Sequence, residues 1–449
     1  MSLDGSGYSG LVLEKLSAAG VKIGDTITIR HDGEEHSGVL MPRAQIGSDP
    51  DHIVVKLATG YNFGIRLTSH SEVTLIKKGR ASKRASSKDV PEQNKELPAV
   101  SILSTGGTIA SKVDYRTGAV NPALTAQDLY DTVPELKDHA NVRAKVLMSV
   151  FSEDIRPSDW TKMARAVASE IKQGADGIII AHGTDTLGFT SAALSFALQN
   201  LPIPVVLVGS QRSSDRPSSD AAMNLILATD FVGRVDAAEV MLVMHGETDD
   251  SFAFAHRGTR VRKSHTSRRD AFQSINTYPL FRIDSSSITE MNPPLLRRDQ
   301  NRSLKLKPKF EEKVAIVKTY PGFSHDVIDH LVDRQYRGIV IEGTGLGHAP
   351  KSLQSSVKCA VEAEIVVAMT SQCISGRVDM DVYRTGVELL ELGVVACEDM
   401  LTETAFVKLS WLLANMKTTD KVTAALVEPF SGEIEMRSEM AEYSTTEDT

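Results

Sequence analysis

Apolar and polar positions follow two different periods along the chain, and the change of period divides it. Between residues 21 and 77, short alternating runs such as "DTITIRH" and "HIVVKL" are separated by turn residues. This alternation is typical of short strands with one buried face. The adjacent Asp32 and Gly33 favour a tight hairpin turn. We therefore predict a small all-β barrel as an N-terminal domain over residues 1–78.

Residues 79–98 have a different composition. The stretch "GRASKRASSKDVPEQNKELP" has no apolar periodicity and is rich in charge and serine. It cannot bury enough apolar surface to fold by itself, so it is predicted to be an exposed linker. Its basic half could contact RNA phosphate, but a solvated linker is the favoured interpretation.

From residue 99 the pattern changes to continuous apolar strands that alternate with helices. "AVSILS", "GIIIA", "PVVLVG" and "EVMLVM" are such strands. The stretch "PSDWTKMARAVASEIKQG" predicts a helix with Trp160, Met163 and Val167 on one face, Ser158 as N-cap and Gly174 as the stop. Continuous apolar strands between helices indicate a parallel sheet covered on both faces. This pattern predicts a large α/β domain over residues 99–305.

A second α/β unit follows the charged stretch "RRDQNRSLKLKPKFEE". Strands are predicted in "KVAIVKTY", "GIVIEG" and "EIVVAMT", and a final long helix is predicted to start near Thr402. We assign residues 306–449 to a smaller C-terminal α/β domain. The fold class is therefore α/β, with a large parallel-sheet domain and a smaller α/β domain behind a small all-β domain.

Composition and charge limit the possible functions. The chain has 449 residues with 41% hydrophobic residues and a net charge of -8, so it lacks the overall basic charge of a nucleic-acid-binding protein. Its apolar runs are shorter than the ~20 residues that span a bilayer, and its first residues do not resemble a signal peptide. Three widely spaced cysteines, Cys359, Cys373 and Cys397, are expected to be small core residues. We expect a cytoplasmic protein without a membrane association.

Two loops place threonines directly after apolar strands. "TGGTIAS" begins at Thr105, and "HGTDT" contains Thr184 and Asp185. Ligands of parallel sheets bind beyond the carboxyl ends of the strands, so both loops can line one site. Gly106 and Gly183 allow close approach of a ligand to the backbone, and Asp185 with Thr186 can cap the next helix. Each motif alone is weak, whereas the pair with its flanking strands is specific.

On these two motifs, residues 99–449 resemble the bacterial-type L-asparaginase/glutaminase family. The resemblance implies a nucleophilic threonine at Thr105 and a Thr–Asp pair at Thr184 and Asp185. It also implies a lysine at Lys263, within "GTRVRKSHTSRRDAFQSIN". Its substrate-binding positions correspond to Gly106, Gly183, Tyr115 in the loop after the first motif, and Ser152 in "FSED".

The chemistry that this resemblance implies is hydrolysis of a side-chain amide. Thr105 would attack the amide carbon, form an acyl-enzyme and release ammonia, while Lys263 accepts a proton. Asp185 would hold either Lys263 or the α-amino group of the substrate in place. Water activated by Thr184 and Lys263 would release the acid. The sequence leaves open which threonine attacks first, and the resemblance favours Thr105. No metal or cofactor is expected in this chain. Residues 112–125, around Tyr115, are predicted to form a lid over Thr105.

The N-terminal domain, its linker and the chain length are similar to the D-subunit family of archaeal glutamyl-tRNA(Gln) amidotransferases. This resemblance implies that glutamine or asparagine supplies ammonia to a partner, the E-subunit of the amidotransferase. That partner would use ATP and Mg²⁺ and would bind most of Glu-tRNA(Gln). The resemblance also implies a homodimer, with the loop "EGTGLGH" at the interface between the copies. A stand-alone cytoplasmic L-asparaginase and a non-catalytic interaction protein are the alternatives.

Overall fold

The structure, a computed structural model, describes most of the chain in separate stretches. The described residues are 6–41, 50–56, 62–78, 94–106, 111–113, 120–122, 129–130, 133–212 and 219–437. Tyr115, residues 107–110, and residues 79–93 of the predicted linker lie outside them. The predicted lid falls only partly within the described residues.

The N-terminal region consists of a helix and an antiparallel sheet. The helix is α1 (Gly10–Ala18), and the strands are β1 (Thr26–His31), β2 (Glu34–Leu40), β3 (His52–Lys56), β4 (Asn62–Arg66) and β5 (Glu72–Lys77). The sheet order is β4-β3-β2-β1-β5, so the predicted strands are confirmed. Asp32 and Gly33 form the turn between β1 and β2 with φ angles of 49° and 84°. Among the described residues β4 and β5 are the sheet edges, and closure into a barrel remains a prediction.

Helix α1 was not predicted from the sequence. It buries Val12 and Leu16 against the sheet residues Ile27 and Ile29. The helix is only nine residues long and has a weak apolar face, so the local pattern gives little signal.

The large domain contains an eight-stranded sheet with helices on both faces. Its elements are β6 (Ala99–Ser104), β7 (Ser111–Val113), β8 (Val120–Pro122), β9 (Asn141–Val146), α2 (Pro157–Lys172), β10 (Gly177–Ala181), α3 (Leu187–Ala197), β11 (Leu198–Gln199), β12 (Val205–Val208), α4 (Ala221–Arg234), β13 (Val240–His245), β14 (Ala253–Arg257), β15 (Val261–Lys263), β16 (Phe272–Ser274), β17 (Phe281–Ile283), β18 (Ile288–Glu290) and β19 (Lys305–Leu306). The sheet order is β18-β17-β14-β13-β12-β10-β6-β9.

The parallel part of this sheet sets the position of the two threonine loops. Strands β13, β12, β10, β6 and β9 are parallel, whereas β14, β17 and β18 are antiparallel. Leu225 and Phe231 of α4 cover one face, and Met163 and Val167 of α2 cover the other. The predicted parallel sheet is thus confirmed. Because Ser104 pairs with Ala181, the two loops emerge from adjacent strands at the same edge.

Helix α2 begins two residues earlier than a cap at Ser158 implies. Trp160, Met163 and Val167 are buried as expected. Ser158 lies inside the first turn, so its prediction as N-cap was wrong. The Asp159 carboxylate instead accepts a hydrogen bond of 3.1 Å from the backbone N–H of Arg156. Pro157 explains the shift, because a proline is well suited to the first helical position.

The C-terminal domain has a parallel sheet with helices around it. Its elements are β20 (Val314–Lys318), α5 (Asp326–Asp333), β21 (Gly338–Gly343), α6 (Gln354–Glu362), β22 (Val366–Ser371), α7 (Arg384–Glu391), β23 (Val395–Ala396), α8 (Thr402–Asn415) and α9 (Thr419–Leu426). The strands follow in sequence order, β20-β21-β22-β23. Helix α8 also packs on α3, so the two α/β domains share an apolar cluster that includes Phe196 and Trp411.

The remaining sequence expectations have mixed outcomes. Cys397 is buried, but Cys359 and Cys373 are exposed, so the expectation of core cysteines was wrong for those two. The domain limits remain predictions. Strand β19 has residues on both sides of the predicted limit between residues 305 and 306, and it pairs with β11 of the large domain. Within the described stretches, no helix is both long and apolar enough to cross a membrane.

Candidate active site

The first loop begins with a buried threonine. The Thr105 backbone N–H and hydroxyl both donate to the carbonyl oxygen of Ala181, at 3.0 and 3.1 Å. The side chain is almost completely buried at the edge of the sheet. Gly106 follows with a φ of 116°, and a Cβ at this position would collide with the carbonyl oxygen of Val150. The chain can therefore turn after Thr105 only with glycine at this position.

The second loop is held against the segment that contains Ser152. A Cβ on Gly183 would lie 2.9 Å from both Cβ and Oγ of Ser152, so only glycine fits this contact. The Thr186 hydroxyl donates to the carbonyl oxygen of Ser152 at 2.6 Å. The expectation that Thr186 or Asp185 caps the next helix was wrong, because no side-chain cap is formed and each side chain binds elsewhere.

Lys263 joins the second loop from a separate hairpin. It ends β15, which pairs with β16 and places Lys263 opposite Phe272. The Lys263 amino group donates to Thr184 Oγ1 at 2.9 Å and to Asp185 Oδ1 at 2.7 Å. The Lys263 side chain is 16% exposed, whereas that of Asp185 is 65% exposed. Solvent screens this ion pair, so its geometric role outweighs its contribution to stability.

The structure therefore brings together most of the predicted site residues. Thr184, Asp185 and Lys263 are in direct contact. Ser152 touches the second loop at Gly183. In the described residues the Thr105 hydroxyl binds Ala181, and its hydrogen bonds do not include Lys263 or Thr184. Tyr115 lies outside the described residues, and its predicted role stays untested.

Sequence reasoning missed a buried chain of polar groups beneath the second loop. His182 Nδ1 lies 2.6 Å from the Gly183 carbonyl oxygen, and its Nε2 lies 3.0 Å from Thr190 Oγ1. Trp160 Nε1–H donates to the same hydroxyl at 3.1 Å. Burial lowers the pKa of His182 to about 4, so the imidazole is neutral near pH 7. The histidine of "HGTD" was visible in the sequence, but its partners on α2 and α3 were not.

The arrangement offers hydroxyl, amine and carboxylate groups at one sheet edge. This set can transfer protons to and from a bound amide. In the described part of the chain, a group with spacing suited to a metal occurs at His325, Asp326 and Asp329. These residues lie at the start of α5 in the C-terminal domain and do not belong to this site.

Fold and site together define an asparaginase-like protein. The family described as "Asparaginase, N-terminal" matches residues 99–295, and "Glutaminase/Asparaginase C-terminal domain" matches residues 313–426. The solved structure of the thermostable L-asparaginase from Thermococcus kodakarensis is 33% identical, with a TM-score of 0.67. The similarity covers 75% of this chain and 99% of that asparaginase. L-asparaginase I from Vibrio cholerae is 28% identical, with a TM-score of 0.66, over 76% of this chain and 100% of that one.

The remaining quarter of the chain distinguishes it from these asparaginases. "GatD N-terminal domain" matches residues 21–76. The glutamyl-tRNA(Gln) amidotransferase D-subunit of Pyrococcus furiosus is 51% identical over 94% of this chain and 97% of that protein. The corresponding D-subunit of Methanothermobacter thermautotrophicus is 45% identical over 97% of this chain and 99% of that protein. The chain belongs to the D-subunit family of glutamyl-tRNA(Gln) amidotransferases.

Proposed function

We propose that this chain is the ammonia-producing subunit of a tRNA-dependent amidotransferase. It hydrolyses the side-chain amide of glutamine or asparagine, and the ammonia serves the conversion of Glu-tRNA(Gln) to Gln-tRNA(Gln). The observation that supports this activity best is the contact of Lys263 with Thr184 and Asp185 beside the Thr105 loop. The N-terminal domain match favours the amidotransferase over a stand-alone asparaginase, because the asparaginase relatives cover only the α/β part.

The proposed reaction has two steps. In the first, the Thr105 oxygen bonds to the amide carbon, the carbon–nitrogen bond breaks, and ammonia leaves with the hydroxyl proton. In the second, water attacks the resulting ester, regenerates the threonine and releases the acid. Lys263 moves protons through the Thr184 hydroxyl, and Asp185 holds the amino group in place. Backbone N–H groups next to Thr105 would bind the oxyanion that develops on the substrate carbonyl.

Two observations bear on which threonine attacks first. Thr184 already contacts Lys263, the amine proposed as the base. Thr105 is buried, and its hydroxyl is engaged with Ala181. We assign the nucleophile to Thr105, with Thr184 as proton carrier, because Thr105 has the adjacent glycine turn that a developing oxyanion requires.

The assembly divides the chemistry between two kinds of chain. A partner, the E-subunit, uses ATP and Mg²⁺ to activate the glutamate and binds most of the tRNA, which agrees with the net charge of -8 on this chain. Two copies of this chain form a homodimer through the C-terminal domain. The exposed side chains of Tyr320, Ile374 and Tyr383 near the carboxyl edge of its sheet support such an interface. We place the complex in the cytoplasm.

Substitution of the contacting residues tests the proposed activity. In the complex with the E-subunit, Thr105→Val, Thr184→Val and Lys263→Met should each lower glutamine-dependent kcat by about 10³-fold or more. Because these groups act as one unit, the Thr184→Val/Lys263→Met double variant should lose little more than either single variant. Ammonia release is measured in single-turnover and steady-state assays.

A matched control removes a lysine of another ion pair. Lys358 pairs with Glu362 at 3.8 Å on α6 of the C-terminal domain, so Lys358→Met removes a lysine charge away from the loops. It should retain near-normal turnover. A diazoketone analogue of glutamine should label Thr105, and mass spectrometry of the labelled peptide identifies the nucleophile. Label on Thr184 would reverse the roles of the two threonines, and normal turnover of Lys263→Met would overturn the mechanism.

A further inference from the structure

The hydrogen bonds of His182 are satisfied by one tautomer. A carbonyl oxygen can only accept, so the 2.6 Å contact with the Gly183 oxygen requires a proton on Nδ1. The neutral ring then has a bare Nε2, which must accept. The indole N–H of Trp160 only donates, so it takes a lone pair of Thr190 Oγ1 and leaves the hydroxyl proton for His182 Nε2.

The result is a chain of hydrogen bonds in which every donor points the same way, from the helices to the loop. It runs from Trp160 on α2 through Thr190 on α3 and His182 to the Gly183 carbonyl. All three side chains are buried, so no water competes for these bonds. The carbonyl at its end belongs to the peptide unit that joins Gly183 to Thr184. Fixing the direction of this carbonyl fixes the plane from which the Thr184 side chain projects.

Packing prevents the loop from adjusting by another route. Gly183 lies against Ser152, and the methyl group of Thr184 lies close to Gly209, where a Cβ would be only 2.8 Å away. A rotated Gly183–Thr184 peptide would move Thr184 Oγ1 away from the Lys263 amino group, now at 2.9 Å. Catalytic groups displaced by about 1 Å can lose 10²-fold in rate.

We infer that His182 is a positioning residue, and that the Trp160–Thr190–His182 chain holds Thr184 in register with Lys263 by fixing the Gly183 carbonyl. This inference rests on the proposed amide hydrolysis for its effect on rate, whereas the tautomer can be measured without activity. Neutral His182, which its burial favours, preserves the direction of the chain near pH 7.

The decisive variants act on Thr190, which lies on α3 behind the loop. Thr190→Val keeps the shape but removes the hydroxyl, so Nε2 loses its donor. We expect kcat for glutamine to fall about tenfold in the complex, with KM changed by less than about twofold. Thr190→Ser returns the hydroxyl and should recover most of the loss. His182→Asn retains an amide near the Nδ1 position and should be more active than His182→Ala.

A control variant separates this effect from simple loss of a buried hydroxyl. Thr229 on α4 is also fully buried, and its hydroxyl donates only within its own helix, to Leu225 at 2.7 Å. Thr229→Val should lower the melting temperature about as much as Thr190→Val without lowering kcat. Turnover is compared well below the lowest melting temperature of the set.

The second readout is the nitrogen NMR spectrum of the imidazole, assigned with His182→Asn. The wild-type spectrum should show a single tautomer with the proton on Nδ1 and an Nε2 signal shifted by the hydrogen bond from Thr190. In Thr190→Val the proton should stay on Nδ1, and the Nε2 signal should move to the position of a nitrogen without a donor. A proton on Nε2 in the wild type, or full kcat in Thr190→Val, would overturn the inference. If the wild-type complex hydrolyses neither glutamine nor asparagine, the proposed function fails instead, and the spectrum still decides whether the chain of hydrogen bonds exists.

Discussion

His182 and His256 are buried histidines whose ionisation opposes folding. Burial lowers the pKa of His182 to about 4 and that of His256 to about 3. Each would titrate near ~6.5 in the unfolded chain. Between the folded and unfolded pKa values the unfolded state therefore binds more protons, and the free energy of unfolding rises with pH. Above about pH 6.5 these histidines do not reduce the free energy of unfolding, and the free energy of unfolding decreases as the pH falls from there towards 4.

We predict that His256→Gln flattens this dependence. Each buried histidine should contribute a slope of about 1.4 kcal/mol per pH unit between about pH 4.5 and 6. Urea unfolding, monitored by tryptophan fluorescence at several pH values, gives the free energy of unfolding. Its slope with pH should be smaller in the variant by the contribution of one histidine. His325→Gln is the control: His325 is exposed, and its hydrogen bond with Asp329 raises its pKa, so its removal should not flatten the acid slope. An unchanged slope in His256→Gln would contradict the prediction.

For individual residues, the sequence predicts which groups meet within one loop better than which groups meet between separate helices and strands. Thr184 and Asp185 are neighbours after one apolar strand, so their shared location could be read directly from the sequence. The chain from Trp160 to His182 could not, because its members lie on α2, on α3 and after β10. Their contact depends on how two helices pack on a sheet, which no local pattern encodes.

At the scale of elements, the segment that follows α9 holds the strand of Lys263 in place. The Arg260 guanidinium donates to the Gly432 carbonyl oxygen at 2.9 Å and to Asp399 Oδ2 at 2.8 Å. Thr259 Oγ1 donates to the carbonyl oxygen of Ser431 at 2.8 Å. Arg260 and Asp399 are both completely buried. The two α/β domains are therefore joined through the two residues that precede β15.

We predict that Arg260→Met destabilises the protein by about 3–5 kcal/mol, because it leaves the Asp399 charge buried without its partner. The Arg260→Met/Asp399→Leu double variant should be less destabilised than the sum of the two single variants. Arg384→Met, which breaks an exposed pair with Glu388, is the control and should cost less than about 1 kcal/mol. Denaturant titration gives the values, and additive losses would show that Arg260 and Asp399 are not coupled.

In the large sheet, β6, β10, β12 and β13 were predictable because each is a continuous apolar run. Strands β9, β14, β17 and β18 are shorter or interrupted by charged residues, and they were not predicted. Helix ends were less predictable, since α2 begins at Pro157, two residues before the start that a cap at Ser158 implies, and Asp159 replaced the expected cap. The hydrogen bonds of Arg260 join residues 139 and 172 positions apart in the chain. Arg260 in "GTRVRK" carries no local signal of such partners.

At the scale of the whole molecule, the α/β part is predicted to fold without the N-terminal domain, with its beginning set by Asn94. Asn141 at the start of β9 accepts a hydrogen bond from the Asn94 N–H and donates to the carbonyl oxygens of Asn94 and Leu97, at 3.0, 2.7 and 2.9 Å. A chain of residues 94–449 should therefore fold and remain soluble. A chain of residues 97–449 loses the Asn94 bonds and should be about 1–3 kcal/mol less stable.

Equal stability of the two shortened chains would show that Asn94 does not contribute, and an unfolded 94–449 chain would show that the domains fold as one unit. Asn141→Ala provides the control, because it removes the same bonds from the other side. In the 97–449 chain the two bonds to Asn94 are already missing, so Asn141→Ala removes only the bond to Leu97 there. The substitution should therefore cost less stability in the 97–449 chain than in the 94–449 chain.

The final prediction concerns coupling between ammonia release and its use. The hairpin of β7 and β8 follows the Thr105 loop, with Ser111 opposite Pro122. Most of its residues belong to residues 112–125, the segment predicted to form the lid. A protein that supplies ammonia to another site should not hydrolyse glutamine without an acceptor. We therefore expect slow turnover by the chain alone and faster turnover with the E-subunit. With the E-subunit and Glu-tRNA(Gln) together, turnover should be the fastest of the three.

The physical reason is that an open site leaves the bound amide in contact with water and lets ammonia escape, whereas closure excludes that water and directs the product. Steady-state ammonia release is measured for the three mixtures, with uncharged tRNA as the control for simple RNA binding. Thr105→Val should remain inactive in all of them, so any rise in the wild type reports this site. Equal rates in the three wild-type mixtures would contradict coupling and would favour a stand-alone asparaginase. A rise with uncharged tRNA alone would show that docking, rather than the glutamyl group, completes the site.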